Sequence, residues 1–280
     1  MAPRISNQSI SHNFPATKPI IHISTTEIPQ YPLPNSTEVL DPTLITQDFD
    51  LLRFEAAAFG QLPAIHSGTA SPADSSQTSP VSPRSPASPA DAKYSTNLIS
   101  SPYNNPGHYL DLTTLPPPSL LFAKALTALK PVRGDYATAP YTEALNFDDV
   151  LNVLRELLRT ERDGVGQWAE TSFYVVTFRS LLNEGVDQEW LYRLDYESHR
   201  EACESGGLLK YWFGKSGGDR RNLATCFWHS REDAYKGGLG PWHKKARAAG
   251  RELYEKIVFS THRFTVLEGV QGYRFEDWRE

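Results

Sequence analysis

The sequence predicts an α+β fold in which residues 172–268 form a β-α-β-β-α-β sandwich. Four segments there are rich in aromatic and β-branched residues, which favour strands. Two longer segments repeat apolar residues every three to four positions, which indicates helices that bury one face. With right-handed crossovers, this order closes a four-stranded antiparallel sheet with both helices on one face, the ferredoxin-like arrangement.

The first strand is predicted at Phe173–Leu182, where both faces are apolar, as in a strand that is covered on two sides. The first helix follows at Asp187–Ser205. Its inward positions carry apolar or small side chains, namely Leu191, Leu194, Ser198 and Ala202. Gly206 and Gly207 end this helix, because glycine readily adopts the backbone conformation of a helix C-terminus.

A hairpin is predicted between the two helices. Strand Leu208–Phe213 turns through the glycine-rich segment Gly214–Asp219 into strand Asn222–His229. Ser230–Asp233 then resembles a capping box, with Asp in place of the usual Glu or Gln.

The second helix is predicted to begin with Pro241, a residue that is favoured at the first helical position. Its apolar stripe extends to Leu253 and Ile257. The fourth strand is predicted at Val258–Leu267, and it completes the sandwich.

The rest of the chain divides by composition. We expect residues 1–45 to be mostly disordered, residues 46–66 to include a helix, and residues 67–95 to form a disordered Ser-Pro linker. Between positions 67 and 92 the only large aliphatic residue is Val81, so this segment buries too little apolar surface to offset its backbone entropy. Residues 109–165 are predicted to be a helical extension that packs on the sandwich, and residues 269–280 a C-terminal tail.

The predicted sheet has one face that the two helices leave uncovered. Because the first strand is apolar on both sides, water is a poor neighbour for that face. The sequence leaves open three covers for this face: a second copy of the chain in a homodimer, the helices of residues 109–165, or a small ligand.

Charge and composition exclude several classes of protein. Residues 172–280 contain 17 Lys and Arg against 16 Asp and Glu, so the basic stripe of a nucleic-acid-binding surface is missing. No stretch reaches the roughly 20 apolar residues of a membrane span. Cys203 and Cys226 are the only cysteines, a count typical of a reducing compartment. We therefore expect a cytoplasmic or nuclear protein without nucleic-acid or membrane partners.

His243 is the first candidate for a catalytic residue. It lies two positions into the second helix, after a glycine-rich break, where an imidazole can act as a general acid or base or bind a haem iron. A histidine at this position also commonly just hydrogen-bonds the preceding loop. No cofactor is predicted, although haem stays open.

Charged residues inside predicted strands indicate a candidate pocket. Strand alternation suggests that Arg179, Lys210 and Arg263 share one face with Trp212. Such a face suits a small aromatic or acidic ligand, with Trp228 as a further stacking residue. The alternative is that the cations pair with carboxylates or reach solvent at the strand ends.

Histidines and cysteines are too widely spaced to predict a metal site. His199 and Cys203 lie four residues apart on one helix, with Cys226, His229 and His262 elsewhere. None of these spacings matches a structural zinc site, so no metal is predicted.

Five serines of the linker precede proline and are candidate phosphorylation sites: Ser71, Ser79, Ser82, Ser85 and Ser88. Each phosphate would add a charge of about −1.5 to −2. An unmodified spacer is the alternative interpretation.

Two runs resemble a known family. Residues 206–214 and 221–230 look like a family of fungal proteins in the series of uncharacterised protein families, with similarity from about Tyr109 to Trp278. The resemblance implies a fungal intracellular protein and supplies no reaction.

A wider pattern, Trp228-His229-Ser230 followed by Gly240-Pro241-Trp242-His243, is similar to the dimeric α/β-barrel superfamily. That superfamily includes monooxygenases, haem-degrading enzymes and polyketide cyclases, so the resemblance implies fold more than chemistry. Two hypotheses result. One is a small-molecule enzyme or ligand-binding protein with His243, Arg179 and Trp212 in its pocket, and the other is a non-enzymatic interaction protein regulated through the Ser-Pro linker.

Overall fold

Two short antiparallel ribbons form the N-terminal part of the structure, a computed structural model that describes residues 36–62, 93–160 and 167–279. Strand β1 (Val39–Leu40) pairs with β2 (Tyr94–Ser95), and β3 (Asn97–Ile99) pairs with β4 (Tyr109–Asp111). Helix α1 (Phe49–Phe54) lies between β1 and β2 in the chain, and Asp48 caps it by accepting hydrogen bonds from two N–H groups of its first turn.

The first ribbon corrects two predicted disorder boundaries. Residues 36–45 and 93–95 were both predicted to be disordered, yet β1 pairs with β2 and Val39 is fully buried. The composition of the flanking segments gave no signal for these two-residue strands, which are stabilised by pairing with each other. The predicted helix after residue 46 is present as α1, with a separate 3-10 turn at Ala57–Gln61.

Three helices follow the ribbons. They are α2 (Pro117–Ala125), α3 (Tyr141–Ala144) and α4 (Phe147–Thr160). The first turn of α4 carries Asp148 and Asp149, where the positive end of a helix dipole favours acidic side chains. Its buried side chains recur at helical spacing and include Val150, Leu151, Leu154 and Leu157.

A five-stranded antiparallel sheet forms the centre of the structure. Its strands are β5 (Thr171–Leu182), β6 (Leu208–Phe213), β7 (Arg221–Trp228), β8 (Tyr254–Val266) and β9 (Tyr273–Asp277). They lie in the order β6-β7-β5-β8-β9. The first four follow the predicted order along the chain, whereas β9 adds a strand where a C-terminal tail was expected.

Four helices connect these strands. Helix α5 (Gln188–Ser205) begins after Asp187, whose side chain accepts a hydrogen bond from the Trp190 N–H, and it ends at Gly206. Helices α6 (Arg231–Gly237), α7 (Pro241–Ala248) and α8 (Gly250–Leu253) lie between β7 and β8.

The two faces of the sheet have different covers. Tyr174 and Val176 of β5 pack with Ala202 of α5 in one apolar cluster. Phe173 and Val175 point to the opposite side, where they join a larger cluster with residues of α2 and α4. The Phe122 ring of α2 stacks on Phe173 at a centroid distance of 4.3 Å. The chain's own N-terminal helices therefore cover the face that the sequence left open.

The predicted end of the second helix is wrong. Helix α7 stops at Ala248, α8 is a single turn, and Ile257 lies in β8 with 45% of its surface exposed. Residues from Tyr254 onward pair with the end of β5, and this ladder satisfies the backbone groups of β8 that point toward β5. In the ranges that the structure describes, none of the helices combines the length and apolar character needed to cross a bilayer.

Candidate active site

Ser260 and His262 lie two positions apart on β8 and therefore point to the same face of the sheet. The register with β5 sets Ser260 opposite Thr177 and His262 opposite Val175, on the face that α2 and α4 cover. On its other side β8 pairs with β9, which sets Asp277 opposite His262. Three adjacent strands thus bring two hydroxyls, an imidazole and a carboxylate together.

A continuous series of hydrogen bonds connects these side chains. The Ser260 Oγ lies 3.0 Å from the His262 Nε2, and the His262 Nδ1 lies 3.2 Å from an Asp277 carboxylate oxygen. The Thr177 hydroxyl is 2.6 Å from the Ser260 Oγ on the opposite side. Ser260 is half-buried.

The direction of these hydrogen bonds follows from the carboxylate. An ionised Asp277 can only accept, so the His262 Nδ1 carries the ring proton. Burial lowers the pKa of His262, although Asp277 partly opposes this, and the ring is therefore neutral at pH 7. The unprotonated Nε2 then accepts from Ser260, and Thr177 donates to the Ser260 Oγ.

Aromatic rings hold the imidazole in place. Phe275 of β9 stacks on His262 at a centroid distance of 4.4 Å, and Tyr141 of α3 lies parallel to it at 6.4 Å. The Tyr141 hydroxyl bonds the Thr225 hydroxyl of β7 at 2.7 Å, which fixes the ring against the sheet. Asp277 has no comparable support, since 82% of its side chain is exposed.

This arrangement has the geometry of a nucleophile, a general base and a group that orients the base. Such constellations are identified by geometry and not by position in the sequence. Here Ser260 occupies the nucleophile position, His262 the base position and Asp277 the orienting position.

A free strand edge adjoins the site. Strand β9 pairs with β8 only at positions 262–266, and the Trp278 N–H extends the pairing by one hydrogen bond of 2.9 Å to the Thr261 carbonyl. Beyond Thr261, no described segment pairs with the outward edge of β8. We call residues 254–260 the free edge.

Arg179 lies on the same face as Ser260 but is anchored elsewhere. Its guanidinium donates hydrogen bonds to the carbonyls of Ala137 and Ala139, the latter at 2.6 Å. Burial lowers the pKa of this arginine. Arg179 therefore holds the loop before α3 against the sheet, and it brings a positive charge to the face that carries Ser260.

Lys210 and Trp212 also point toward α2 and α4, as their pairing with Phe227 and Thr225 shows. Trp212 is fully buried, and its indole N–H lies 3.4 Å from the Arg53 carbonyl. Lys210 is 2% exposed, and burial lowers its pKa to about 7. In the described part of the chain, no carboxylate forms an ion pair with the Lys210 ammonium.

The predicted common face is wrong for Arg263, and Trp228 lies on the far side as well. The register pairs Arg263 with Tyr174 and Trp228 with the same tyrosine, so both side chains point toward α5. Arg263 stacks over the Trp278 ring at 4.8 Å. The alternation of side chains within each strand was predicted correctly. The register between β5 and β8, however, is set by strand pairing that the sequence does not specify.

His243 lies in the helical layer on the other side of the sheet from Arg179. Its Nδ1 is 3.0 Å from a carboxylate oxygen of Glu201, which also accepts the N–H groups of Trp242 and His243. Glu201 is thus the cap of α7. The predicted pocket shared by His243, Arg179 and Trp212 is not formed.

A buried polar cluster lies between α5 and the segment 100–109. The Asp195 carboxylate accepts hydrogen bonds from the hydroxyls of Tyr103 and Tyr211, and burial raises its pKa. The Nδ1 atoms of His108 and His199 are 2.8 Å apart, and Cys203 Sγ is 3.7 Å from the His199 ring. Across residues 36–62, 93–160 and 167–279, no group of three or more His, Cys, Asp or Glu could hold a metal ion.

The comparison with known proteins decides the family. A family model described as PB2B2.08-like matches residues 99–277. The chain is also 35% identical over 184 residues to the UPF0643 protein PB2B2.08 of Schizosaccharomyces pombe, covering 63% of this chain and 82% of that protein. The chain belongs to the PB2B2.08-like family. The fungal family resemblance noted from residues 206–230 is thereby confirmed.

The part that matches the PB2B2.08-like family contains the whole candidate site, from Tyr141 to Asp277. Among solved structures, the chain is similar to Rv0793 from Mycobacterium tuberculosis, at 16% identity and a TM-score of 0.29 over 32% of this chain and 91% of that one. A similarity of this size carries no argument about fold or function.

Sequence reasoning missed Ser260 and Asp277 in this family member. The Ser-x-His spacing on a predicted strand was a usable signal, because it places both side chains on one face. Asp277 gave no signal, since it belongs to a strand that was predicted to be a tail. The five candidate phosphorylation serines, Ser71, Ser79, Ser82, Ser85 and Ser88, lie outside the described residues.

Proposed function

We propose that this PB2B2.08-like protein is an acyl-transfer enzyme that hydrolyses esters or related carbonyl substrates through Ser260. The observation that carries the proposal is the hydrogen-bonded chain from Ser260 through His262 to Asp277. A neutral imidazole with its free nitrogen 3.0 Å from a hydroxyl can take the hydroxyl proton as that oxygen attacks.

The proposed reaction has two halves. The Ser260 Oγ attacks the carbonyl carbon while its proton moves to the His262 Nε2. The resulting tetrahedral species expels the leaving group, which takes that proton, and an acyl ester of Ser260 forms. Water then attacks this ester with His262 again acting as base, and the acid and free Ser260 are released.

The surroundings suggest the class of substrate. The rings of Tyr141 and Phe275 beside His262 favour a planar or aromatic acyl group. Arg179 lies one strand away on the same face, and its positive charge favours an acidic substrate and the negative charge of the tetrahedral species. This agrees with the small aromatic or acidic ligand expected from the sequence.

We infer further that residues 171–266 form a ferredoxin-like sandwich in which the chain covers its own second face. The strand order and the helices between the strands support this. In a dimeric α/β barrel that face packs on the sheet of a second chain, whereas here α2 and α4 pack on it. In the proposed module, the N-terminal helices of the same chain therefore take the place of the second sheet of a barrel dimer.

Covalent labelling tests the proposed nucleophile. The full-length protein would be treated with a fluorophosphonate, and the modified residue would be located by peptide mass spectrometry. We expect labelling of Ser260 and hydrolysis of p-nitrophenyl acetate, both lost in Ser260→Ala. Ser172→Ala is the matched control, because Ser172 is a strand serine bonded to the Thr265 hydroxyl without a histidine. Hydrolysis equal in Ser260→Ala and wild type would overturn the proposal.

A non-enzymatic interaction protein is the second candidate, and the free edge favours it. Strands with unpaired edges can accept a further strand from another chain. Regulation of such binding through the Ser-Pro linker concerns residues outside the described ranges. A protein of this kind would show partner binding that survives Ser260→Ala.

A further inference from the structure

The free edge of β8 carries the longest exposed apolar run in the described residues. Ile257, Val258 and Phe259 are 45%, 45% and 60% exposed. The other large exposed apolar side chains of these ranges are single positions, such as Val132 and Leu239. A contiguous apolar run on an unpaired strand edge is unusual, because such edges promote association.

The direction of the backbone groups at this edge can be derived. The Thr261 carbonyl accepts the Trp278 N–H on the β9 side, so Thr261 directs its N–H and C=O outward. Alternate residues of a strand direct these groups to the same side. Phe259 and Ile257 therefore also direct theirs outward, away from β5, and in the described part of the chain nothing pairs with them.

We propose that a second copy of this chain binds the free edge, so that two copies of β8 pair antiparallel across a two-fold axis at Ile257. The free edge spans residues 254–260 and Ile257 is its midpoint. Because β8 is irregular at Glu255, which has no partner on β5, regular pairing about this axis covers residues 256–258 of both chains. An axis nearer to Thr261 would drive the partner strand into Trp278, which already pairs there.

The register follows from hydrogen-bond geometry. Opposite residues in an antiparallel pair either both exchange backbone hydrogen bonds or both do not. A two-fold axis between identical strands must therefore lie midway between the two copies of one residue, so that this residue faces its own copy. The N–H and C=O groups of Ile257 point outward, so with the axis at this position the two copies of Ile257 exchange both hydrogen bonds.

Side chains at this register are compatible with a second copy. The two Ile257 side chains meet directly, and Phe259 lies diagonal to the partner's Ile257 on the same face. Phe178 of β5 already touches Phe259 at a ring centroid distance of 5.4 Å, so the apolar cluster continues into each sheet. Lys256 lies opposite Val258, so no like charges lie directly opposite each other.

This dimer differs from the barrel pairing of the ferredoxin-like class. A barrel dimer buries the sheet face that α2 and α4 cover here, whereas the edge contact joins two sheets into one of ten strands. The contact is isologous, as expected for a two-fold homodimer. The contact is made at the strand edge and not through the sheet face that carries Ser260, and it does not depend on the proposed reaction.

Light scattering of the full-length protein over a concentration series tests the proposal. We expect a mass approaching twice 31.4 kDa. Ile257→Lys, which sets two ammonium groups against each other at the axis, should weaken dimerisation at least about tenfold. Tyr235→Lys is the matched control, since Tyr235 is 68% exposed on α6.

Ile257→Pro provides a second test. Proline at 257 removes an outward N–H and leaves the hydrogen bonds to β5, so the fold should persist while the dimer is lost. Amide hydrogen exchange should show slow exchange of Ile257 and Phe259 in the wild type and fast exchange in Ile257→Lys. A monomeric wild type, or a dimer with the same affinity in Ile257→Lys, would overturn the proposal. Protection of these amides in a monomer, or a different chain found on the edge, would do so as well.

Discussion

The His262 Nε2 lies 3.0 Å from the Ser260 Oγ, although the two residues are only two positions apart on one strand. Two residues of β9 orient the imidazole for this contact. Asp277 bonds the His262 Nδ1, and Phe275 stacks on the ring. A strand thus holds the two groups of the proposed reaction in place with no loop between them.

The pH dependence of hydrolysis should report on His262. Since burial lowers its pKa below 6.5, activity should be full at pH 7 and fall as the pH decreases through the lowered value. Asp277→Asn removes a charge that raises this pKa, so the acid limb should move to lower pH while kcat drops by at least about tenfold. An acid limb that moves upward, or an unchanged kcat, would contradict the orienting role of Asp277.

The histidine pair under segment 100–109 should make stability depend on pH. Burial lowers the pKa of His108 to about 4 and that of His199 well below its usual value. In the unfolded chain both titrate near 6.5. Unfolding therefore takes up protons below that value, and stability should fall as the pH decreases from about 6.5 toward 4.

Urea denaturation at several pH values would measure this effect. His199→Asn should flatten the dependence, because the amide can still bond His108 without titrating. If the free energy of unfolding changed with pH equally in wild type and variant, the effect would come from other groups.

Lys210 should destabilise the fold at neutral pH. Burial lowers its pKa to about 7, from 10.5 in the unfolded chain, so the unfolded chain binds more protons between these values. Stability from this group should rise with pH across that window. Lys210→Met should raise the free energy of unfolding at pH 7 by a few kcal/mol, roughly, and remove the rise. Lys215→Met is the control, because the Lys215 side chain is 67% exposed.

The cover formed by α2 should be essential for stability. Phe122 is fully buried between Phe173 and Phe264. Phe122→Ala should lower the free energy of unfolding by about 3–5 kcal/mol, the cost of the lost burial and the cavity left behind. Val132→Ala, at a position that is 56% exposed, should change it by less than about 0.5 kcal/mol. Equal effects of the two changes would mean that α2 contributes little to the core.

Local patterns predicted much of the fold. Strand β6 has the predicted bounds, and α5 begins one residue after its predicted start, because Asp187 is the cap and not the first helical residue. The end of the second helix was less predictable. The apolar spacing of Leu253 and Ile257 fits a helix, but pairing with β5 stabilises these backbone groups as a strand from Tyr254 onward.

The candidate site was less accessible to sequence reasoning. Arg179, Lys210 and Trp212 do share a face, as alternation predicts, yet they anchor a loop or lie in the core. Arg263 was assigned to the wrong face because alternation orders residues within a strand and says nothing about the neighbouring strand. His243 was correctly located at a helix start, where it bonds Glu201, a partner 42 residues away.

The sequence by itself determined α5, the start of α7 and the order of strands β5 to β8 along the chain, because these depend on the periodicity of apolar residues and on turn chemistry. Only the tertiary structure decided which face each strand presents, what covers the second face, and that Ser260, His262 and Asp277 meet. Those features depend on the register between strands and on contacts between distant segments. A shift of one residue exchanges every side chain between the two faces of a sheet, and the periodicity of a single strand is the same in either register.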